Sequence, residues 1–297
     1  DAMLKARKVE PVQSTNHDPD LQHIQNVRGT CKRLVCTPAE LIKMNYMKFR
    51  YLFIAVLCSL ASVAFAQKHL TILHTNDTHS CILPLKTTLA DTLLAGRAGF
   101  VRRISMIDQE RAKDKNLILF DSGDFSQGSP FYTLFKGDAE IGLMNRMHYD
   151  ASTIGNHEFD FGIENMARIF KKANFPILCS NYDLKGTPLD GIVKKYTIIK
   201  RNGVKIGLFA LDPKLEGLVS KANYGIIKYL DPVAVANEMA TMLKKDKKCD
   251  LVICISHLGW EEKGMGDQMM IAGSRNIDIV LGGHSHTYFK TLHYVKN

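Results

Sequence analysis

Residues 71–80 read TILHTNDTHS. An apolar, β-branched run leads into a polar burst that holds one aspartate and two histidines. Such a run is a short strand. In α/β sheets, ligands gather beyond the carboxyl ends of strands. Asp77 and His79 would therefore stand where a sheet presents its chemistry, and the fold follows from whether other strands end the same way.

They do. HLTILHT (69–75), NLILFDS (116–122), ASTIG (151–155), FPILCSN (175–181), DLVICISH (250–257) and IDIVLGGH (277–284) are short, continuous apolar runs rich in β-branched residues. Uninterrupted apolar character fits strands covered on both faces. Helix patterns lie between them near 97–113, 137–147, 161–173 and 231–247. The last opens DPVAVANEM, with Asp231 as N-cap and Pro232 at the first helical position. Residues 194–211 differ: two strand runs flank Asn202-Gly203, a two-residue hairpin signal. The class is α/β with an added antiparallel hairpin. No internal repeat, low-complexity linker or second-domain boundary follows residue 67.

Five strand ends carry residues able to bind a metal. The first gives Asp77 and His79, and the second gives Asp124 in DSGDFSQG. The third gives Asn156, His157 and Asp160 in GNHEFD. His257 comes from ISHLGW, and His284 and His286 from GGHSHT. Singly, each is weak. A histidine at a strand end is more often a hydrogen-bonded histidine than a ligand, and Asn76-Asp77-Thr78 matches a glycosylation acceptor by accident. Together, on one sheet, they form a pattern. Gly123, Gly155, Gly282 and Gly283 beside them allow tight turns and close backbone approach. The candidate ligands exceed one tetrahedral site. Two divalent ions are expected, with Asp124 the best shared carboxylate. Mixed imidazole and carboxylate suits Zn, Mn, Co or Fe rather than calcium. Two dications against two aspartates leave positive charge, which favours an anionic substrate such as a phosphate ester.

The 297 residues are 45% hydrophobic and 23% charged, an ordinary globular composition, with a formal charge of +9. Residues 1–66 hold nine Lys/Arg and five Asp/Glu, so +4 of that charge. The remainder is too dilute for nucleic-acid binding, and no basic run supports that partner. MKFRYLFIAVLCSLASVAFAQ (47–67) reads as a secretory signal: Lys48 and Arg50, an uncharged apolar stretch from Tyr51 to Phe65, then Ala64-Phe65-Ala66 before Gln67. Fifteen apolar residues fall short of the ~20 that cross a bilayer, so cleavage rather than a stable membrane anchor is expected. Leu57 before Cys58 argues against a lipoprotein. Met47 is then the expected start, with residues 1–46 expected to be a non-native upstream segment and the mature protein expected to be periplasmic or secreted. Four cysteines follow Gln67, with no C-x-x-C. Cys179 and Cys254 lie in apolar runs and read as buried thiols.

At ILHTNDTHS, DSGDFSQGSP, GNHEFDFG, SHLG and GGHSHT, in that order over residues 69–290, the sequence resembles the calcineurin-like metallophosphoesterase superfamily. Within it, the resemblance is to the secreted bacterial 5′-nucleotidase, UDP-sugar hydrolase and 2′,3′-cyclic phosphodiesterase relatives. It implies a four-layer α/β/β/α sandwich, two mixed β-sheets flanked by helices, over residues 67–297. It also assigns roles. One metal would take Asp77, His79, Asp124 and His286, and the other Asp124, Asn156, His257 and His284. His157, oriented by Asp160, would face the phosphoryl group and stabilise charge or protonate the leaving oxygen. Metal-activated hydroxide would attack phosphorus in line.

The family also carries a C-terminal domain that grips the nucleoside. Here TLHYVKN closes the sequence soon after the last motif. A truncated catalytic domain and a separately encoded nucleotide-binding domain are both open readings. The expected function is release of phosphate from nucleoside 5′-monophosphates. Cyclic phosphodiester or UDP-sugar hydrolysis on the same site is a second reading. A metal- or nucleotide-binding protein inactive without its partner domain is a third. Arg97, Arg102 and Arg103 are expected on a helix surface rather than as a substitute substrate grip.

Overall fold

The computed structural model describes residues 46, 47, 49–51, 68–260 and 265–293. The expected upstream segment and signal peptide fall almost wholly outside them. The chain divides into two units. Of the first, Ala6–Gln67, the described residues 46, 47 and 49–51 are helical and exposed. No helix among the described residues is long and apolar enough to cross a membrane.

The second unit begins at Lys68. Its strands are β1 (Ile72–Thr75), β2 (Ile118–Asp121), β3 (Ala151–Thr153), β4 (Ile177–Leu178), β5 (Tyr182–Asp183), β6 (Tyr196–Arg201), β7 (Val204–Leu211), β8 (Lys228–Tyr229), β9 (Leu251–Ser256) and β10 (Ile279–Leu281). The helices are α1 (Phe100–Lys113), α2 (Pro130–Phe135), α3 (Asp138–Met147), α4 (Gly162–Phe170), α5 (Lys221–Tyr224), α6 (Pro232–Thr241) and α7 (Asp267–Gly273). The six apolar runs and four helix patterns read from the sequence are all present, shortened at their ends. Asp231 caps α6 as expected, its Oδ1 accepting the Ala234 N–H at 2.7 Å. That helix then widens into a π-turn over Met242–Asp246.

One sheet has the order β1-β2-β3-β4 and the other β10-β9-β7-β6. The first is parallel throughout. The second is mixed, because β6 and β7 form the antiparallel hairpin while β9 and β10 run parallel to β7. Of the two mixed sheets expected, then, one is mixed and one parallel. At the hairpin turn, Asn202 and Gly203 have φ of 47° and 69°, the left-handed pair that a two-residue turn of this twist requires. A two-stranded ribbon of β5 and β8 was not expected.

Period-two alternation builds the layers. Ile118, Phe120, Ile206, Leu208, Ala210, Ile253 and Ile255 meet between the two sheets. Leu119 points the other way, into a core with Phe100, Ile107, Ile141, Met144, Met166 and Phe170 from α1, α3 and α4. Phe209, Leu211, Val252 and Cys254 likewise face away from the first sheet and pack on Val235, Met239 and Met270 of α6 and α7. The result is helix, sheet, sheet, helix, the four layers expected. Each of these fully buried large side chains contributes about 1.5–3 kcal/mol over its exposed state. Cys81, Cys179, Cys249 and Cys254 are all free thiols, and the last three are buried.

Arg103 departs from its expected place. It is 7% exposed on α1, with its guanidinium over the Phe100 ring at 4.6 Å. The helix turns it toward the sheet, where Asp121 and Tyr149 are also buried.

Candidate metal centre

The polar cluster lies where β1, β2, β3, β9 and β10 end. The first sheet supplies Asp77, His79, Asp124, Asn156 and His157. The second supplies His257, His284 and His286. Ser122 joins the two: its hydroxyl donates to the Leu281 carbonyl at 3.0 Å and meets His74 Nε2 at 2.8 Å.

Two groups of ligand atoms form. Asp77, His79 and His286 make one, and Asp124, His257 and His284 the other, with the atoms of each within 4.8 Å of one another. In the first, His79 Nε2 is 3.1 Å from His286 Nε2, and His286 Nε2 is 3.5 Å from Asp77 Oδ1. The Asp77 carboxylate also accepts the His284 N–H at 3.0 Å, so the β1 loop is tied to the β10 loop. In the second, His257 is wholly buried, and its Nδ1 donates to the Ser122 carbonyl at 2.5 Å. That bond leaves Nε2 to face Asp124 Oδ2 at 3.1 Å, without an aligned hydrogen bond. Burial disfavours charge on both. Asp124 nonetheless sits well below the usual carboxylate range because His257 faces it, and Asp124 in turn raises His257. The rings of His257 and His284 are 5.0 Å apart, and those of His79 and His286 are 5.1 Å apart.

The donor set fits divalent ions. Asn156 Oδ1 is buried with no hydrogen-bond partner, a costly state that a cation would relieve, and His257 Nε2 faces only the Asp124 carboxylate. Imidazole nitrogen with carboxylate and amide oxygen is a borderline set suited to Zn, Mn, Co or Fe.

The backbone is bent into unusual shapes to deliver these atoms. Asp77, His79, Asp124, His284 and His286 have φ of 47°, 41°, 54°, 72° and 52°. Left-handed conformation costs a non-glycine residue about 1–2 kcal/mol. Strain of this kind collects at functional sites, held there by surrounding structure. Part of that hold is visible. Asp77 N–H donates to the Gly123 carbonyl at 3.0 Å, and His79 N–H to the Asp124 carbonyl at 2.9 Å. A Cβ on Gly155 would collide with the Asp124 carboxylate, and one on Gly123 would lie 2.7 Å from the Gly155 nitrogen. These glycines let the β2 and β3 loops touch backbone to backbone.

His157 begins a 3-10 turn, His157–Phe159. Its N–H donates to Asp124 Oδ1 at 2.9 Å. Its Nδ1 lies 3.3 Å from Asp160 Oδ1, and that hydrogen bond, against opposing desolvation, raises its pKa above the ordinary value. Its ring meets the His79 ring edge-on at 5.4 Å, which places it over the first group. All nine residues expected at the site are therefore at one end of the strands. The Asn76 side chain donates to Asp77 Oδ2 at 2.5 Å, an internal use in keeping with an accidental glycosylation match.

Sequence reasoning missed Glu158. It is fully buried and lies between the β2 and β3 loops. Its signal was present in GNHEFD, as a charged residue between a histidine and an aromatic. Nothing in that string shows that its partners are backbone amides.

A strand-end crevice of imidazoles and carboxylates across two stacked sheets defines a metal-binding α/β class of protein. The family is then plain: the calcineurin-like phosphoesterase family model matches residues 70–288, and the chain belongs to that family. It is 32% identical over 245 residues to the snake venom 5′-nucleotidase of Crotalus adamanteus, covering 79% of this chain and 40% of that protein. It is 32% identical over 221 residues to a 2′,3′-cyclic-nucleotide 2′-phosphodiesterase/3′-nucleotidase of Haemophilus influenzae, covering 67% of this chain and 34% of that protein. Among solved structures it resembles the 5′-nucleotidase precursor from Thermus thermophilus. The TM-score there is 0.66 at 30% identity, over 75% of this chain and 43% of that one. The chain spans 34–40% of the length of these curated relatives.

Proposed function

We propose that this protein is an exported phosphoric ester hydrolase that releases phosphate from nucleoside 5′-monophosphates on a pair of divalent ions. The observation that carries this reading is the pair of adjoining ligand groups with His157 beside both. Similarity to 5′-nucleotidases supports the substrate class, and the apolar run of residues 51–65 supports export.

Asp77, His79 and His286 would hold one ion, Asn156, His257 and His284 the other, with Asp124 shared. When bound, the ions would supply Lewis-acid polarisation of the phosphoryl oxygens and activation of water near neutral pH. The chain's own groups do the rest. The Ser122 carbonyl fixes the His257 tautomer so that Nε2 is the ligand nitrogen. The His157 N–H holds the Asp124 carboxylate in one orientation. The His157 imidazole, biased toward its cationic form by the Asp160 carboxylate, would act as a donor to the developing charge or the leaving oxygen.

A second reading, cyclic phosphodiester hydrolysis, is favoured by the Haemophilus influenzae relative. A panel separates them: AMP, an aryl phosphate, 2′,3′-cyclic AMP and a UDP-sugar, each with Mn present. Preference for AMP bears out the first reading, and preference for the cyclic ester the second. Cleavage of the aryl phosphate alone would place nucleoside recognition outside this chain. Silence on all four with two ions bound would overturn hydrolysis.

A further inference from the structure

Glu158 is fully buried, and every group it meets in hydrogen bonds is a backbone amide of a metal-ligand loop. Its Oε2 accepts the Asp124 N–H at 3.0 Å and the Gly155 N–H at 2.5 Å. Its Oε1 accepts the Ser126 N–H at 3.0 Å. Asp124 and Ser126 belong to the loop after β2, and Gly155 to the loop after β3. One carboxylate thus ties together the two loops that present Asp124 and Asn156. Among the described residues, no cationic side chain shares it in a hydrogen bond. Three N–H donors converge where only acceptors serve them, and a carboxylate offers enough lone pairs for all three.

We propose that Glu158 is the positioning residue of the second metal site: it sets the spacing between Asp124 and Asn156 and so decides whether the second ion is retained. This rests on the reading of the cluster as a two-metal centre. Besides the clamp, the two loops are joined by the His157 N–H on Asp124 Oδ1 and by the close approach of Gly123 and Gly155. Gly155 has no side chain, and Asp124 stands in left-handed backbone at φ 54°. The Asp124 carboxylate takes the His157 N–H, so a shift of the β3 loop moves ligand and imidazole together. Positioning partners behind metal ligands typically govern about 10–100-fold in metal affinity. The first group depends less on the clamp, because the Asp77 carboxylate also takes the His284 N–H and so ties the β1 loop to the β10 loop.

The test is Glu158→Gln, which keeps the shape but sets an NH2 group against N–H donors. Mn titration of the metal-free protein, with elemental analysis, should show the second ion weakened at least tenfold and the first several-fold less, because the first shares only Asp124 with the clamped loops. Turnover should fall with little change in KM. Equal weakening of both ions, or a lowered melting temperature with wild-type metal affinities, would mean a merely structural role and would overturn the proposal. A variant that fails to fold leaves a second measurement. In the metal-free wild-type protein, the amides of Asp124, Ser126 and Gly155 should exchange with solvent at least tenfold slower than exposed loop amides. Exchange at loop rates would refute the clamp. If the wild-type protein binds no Mn, the two-metal reading fails, while those amides still decide whether Glu158 joins the loops.

Discussion

Asp124 and His257 face each other across the seam between the sheets, Oδ2 to Nε2 at 3.1 Å, with no aligned hydrogen bond between them. Both are buried, and the other ring nitrogen of His257 is committed to the Ser122 carbonyl. Without a metal the two are an imidazolium facing a carboxylate, and a divalent ion would displace that proton and take both as ligands. In the other direction, Asp124 takes the His157 N–H on Oδ1. One carboxylate therefore links the second candidate ion site to the candidate proton donor.

Asp124→Asn should weaken both ions together, because it removes the carboxylate placed to be shared. Elemental analysis after dialysis against buffered Mn is the check. Loss of one ion with retention of the other would remove the bridging role.

His157→Ala should keep its ions and lose about 10²–10⁴-fold in turnover, the usual range for a positioned proton donor. Metal content and kcat measured on one preparation separate the roles. Unchanged turnover would refute the assignment, and lost metal would make His157 a ligand.

Gly155→Ala tests the contact of the two loops. The new methyl would collide with the Asp124 carboxylate. Forced overpacking of this kind costs about 1–3 kcal/mol. Thermal unfolding of the metal-free protein should show the loss, and Mn affinity should fall with it. Gly191→Ala is a useful contrast, since nothing lies within 4 Å of a Cβ there, although φ 76° makes it strained. It should leave Mn affinity untouched.

Asp212 gives a pH prediction from a buried carboxyl behind the site. It is fully buried, its Oδ1 accepts the Thr153 hydroxyl at 2.8 Å, and its Oδ2 has no partner. Burial pushes its pKa up to about 7. The folded state thus holds a proton that the unfolded state releases near pH 4, so this group's favourable contribution is present below pH 4 and lost as pH rises through 7. Asp212→Asn should flatten the fall in stability over that window. Urea midpoints of the metal-free protein at pH 5 and pH 8 should differ less in the variant. An equal or larger difference would contradict the assignment.

The sequence carried most of this account because the signals were local. Continuous β-branched runs located the strands of both four-stranded sheets, and Asn202-Gly203 located the hairpin. The polar residues just past those runs located the site. What escaped was short or nonlocal. β5 and β8 are two residues each, too short for any period. α2 had a readable start, with Ser129 capping and Pro130 at the first position, but only six residues to follow it. Arg103 looked like surface because it is a charged residue in an arginine pair, yet its helix turns it toward the sheet. Glu158 has partners that are all backbone N–H groups, which no side-chain pattern can display.

The most direct test of the central claim is phosphate release from AMP by metal-free protein as Mn is added in measured equivalents. The account predicts no release without Mn, a rise, and a plateau at two ions per chain. A plateau at one ion, or release that does not depend on metal, would contradict it.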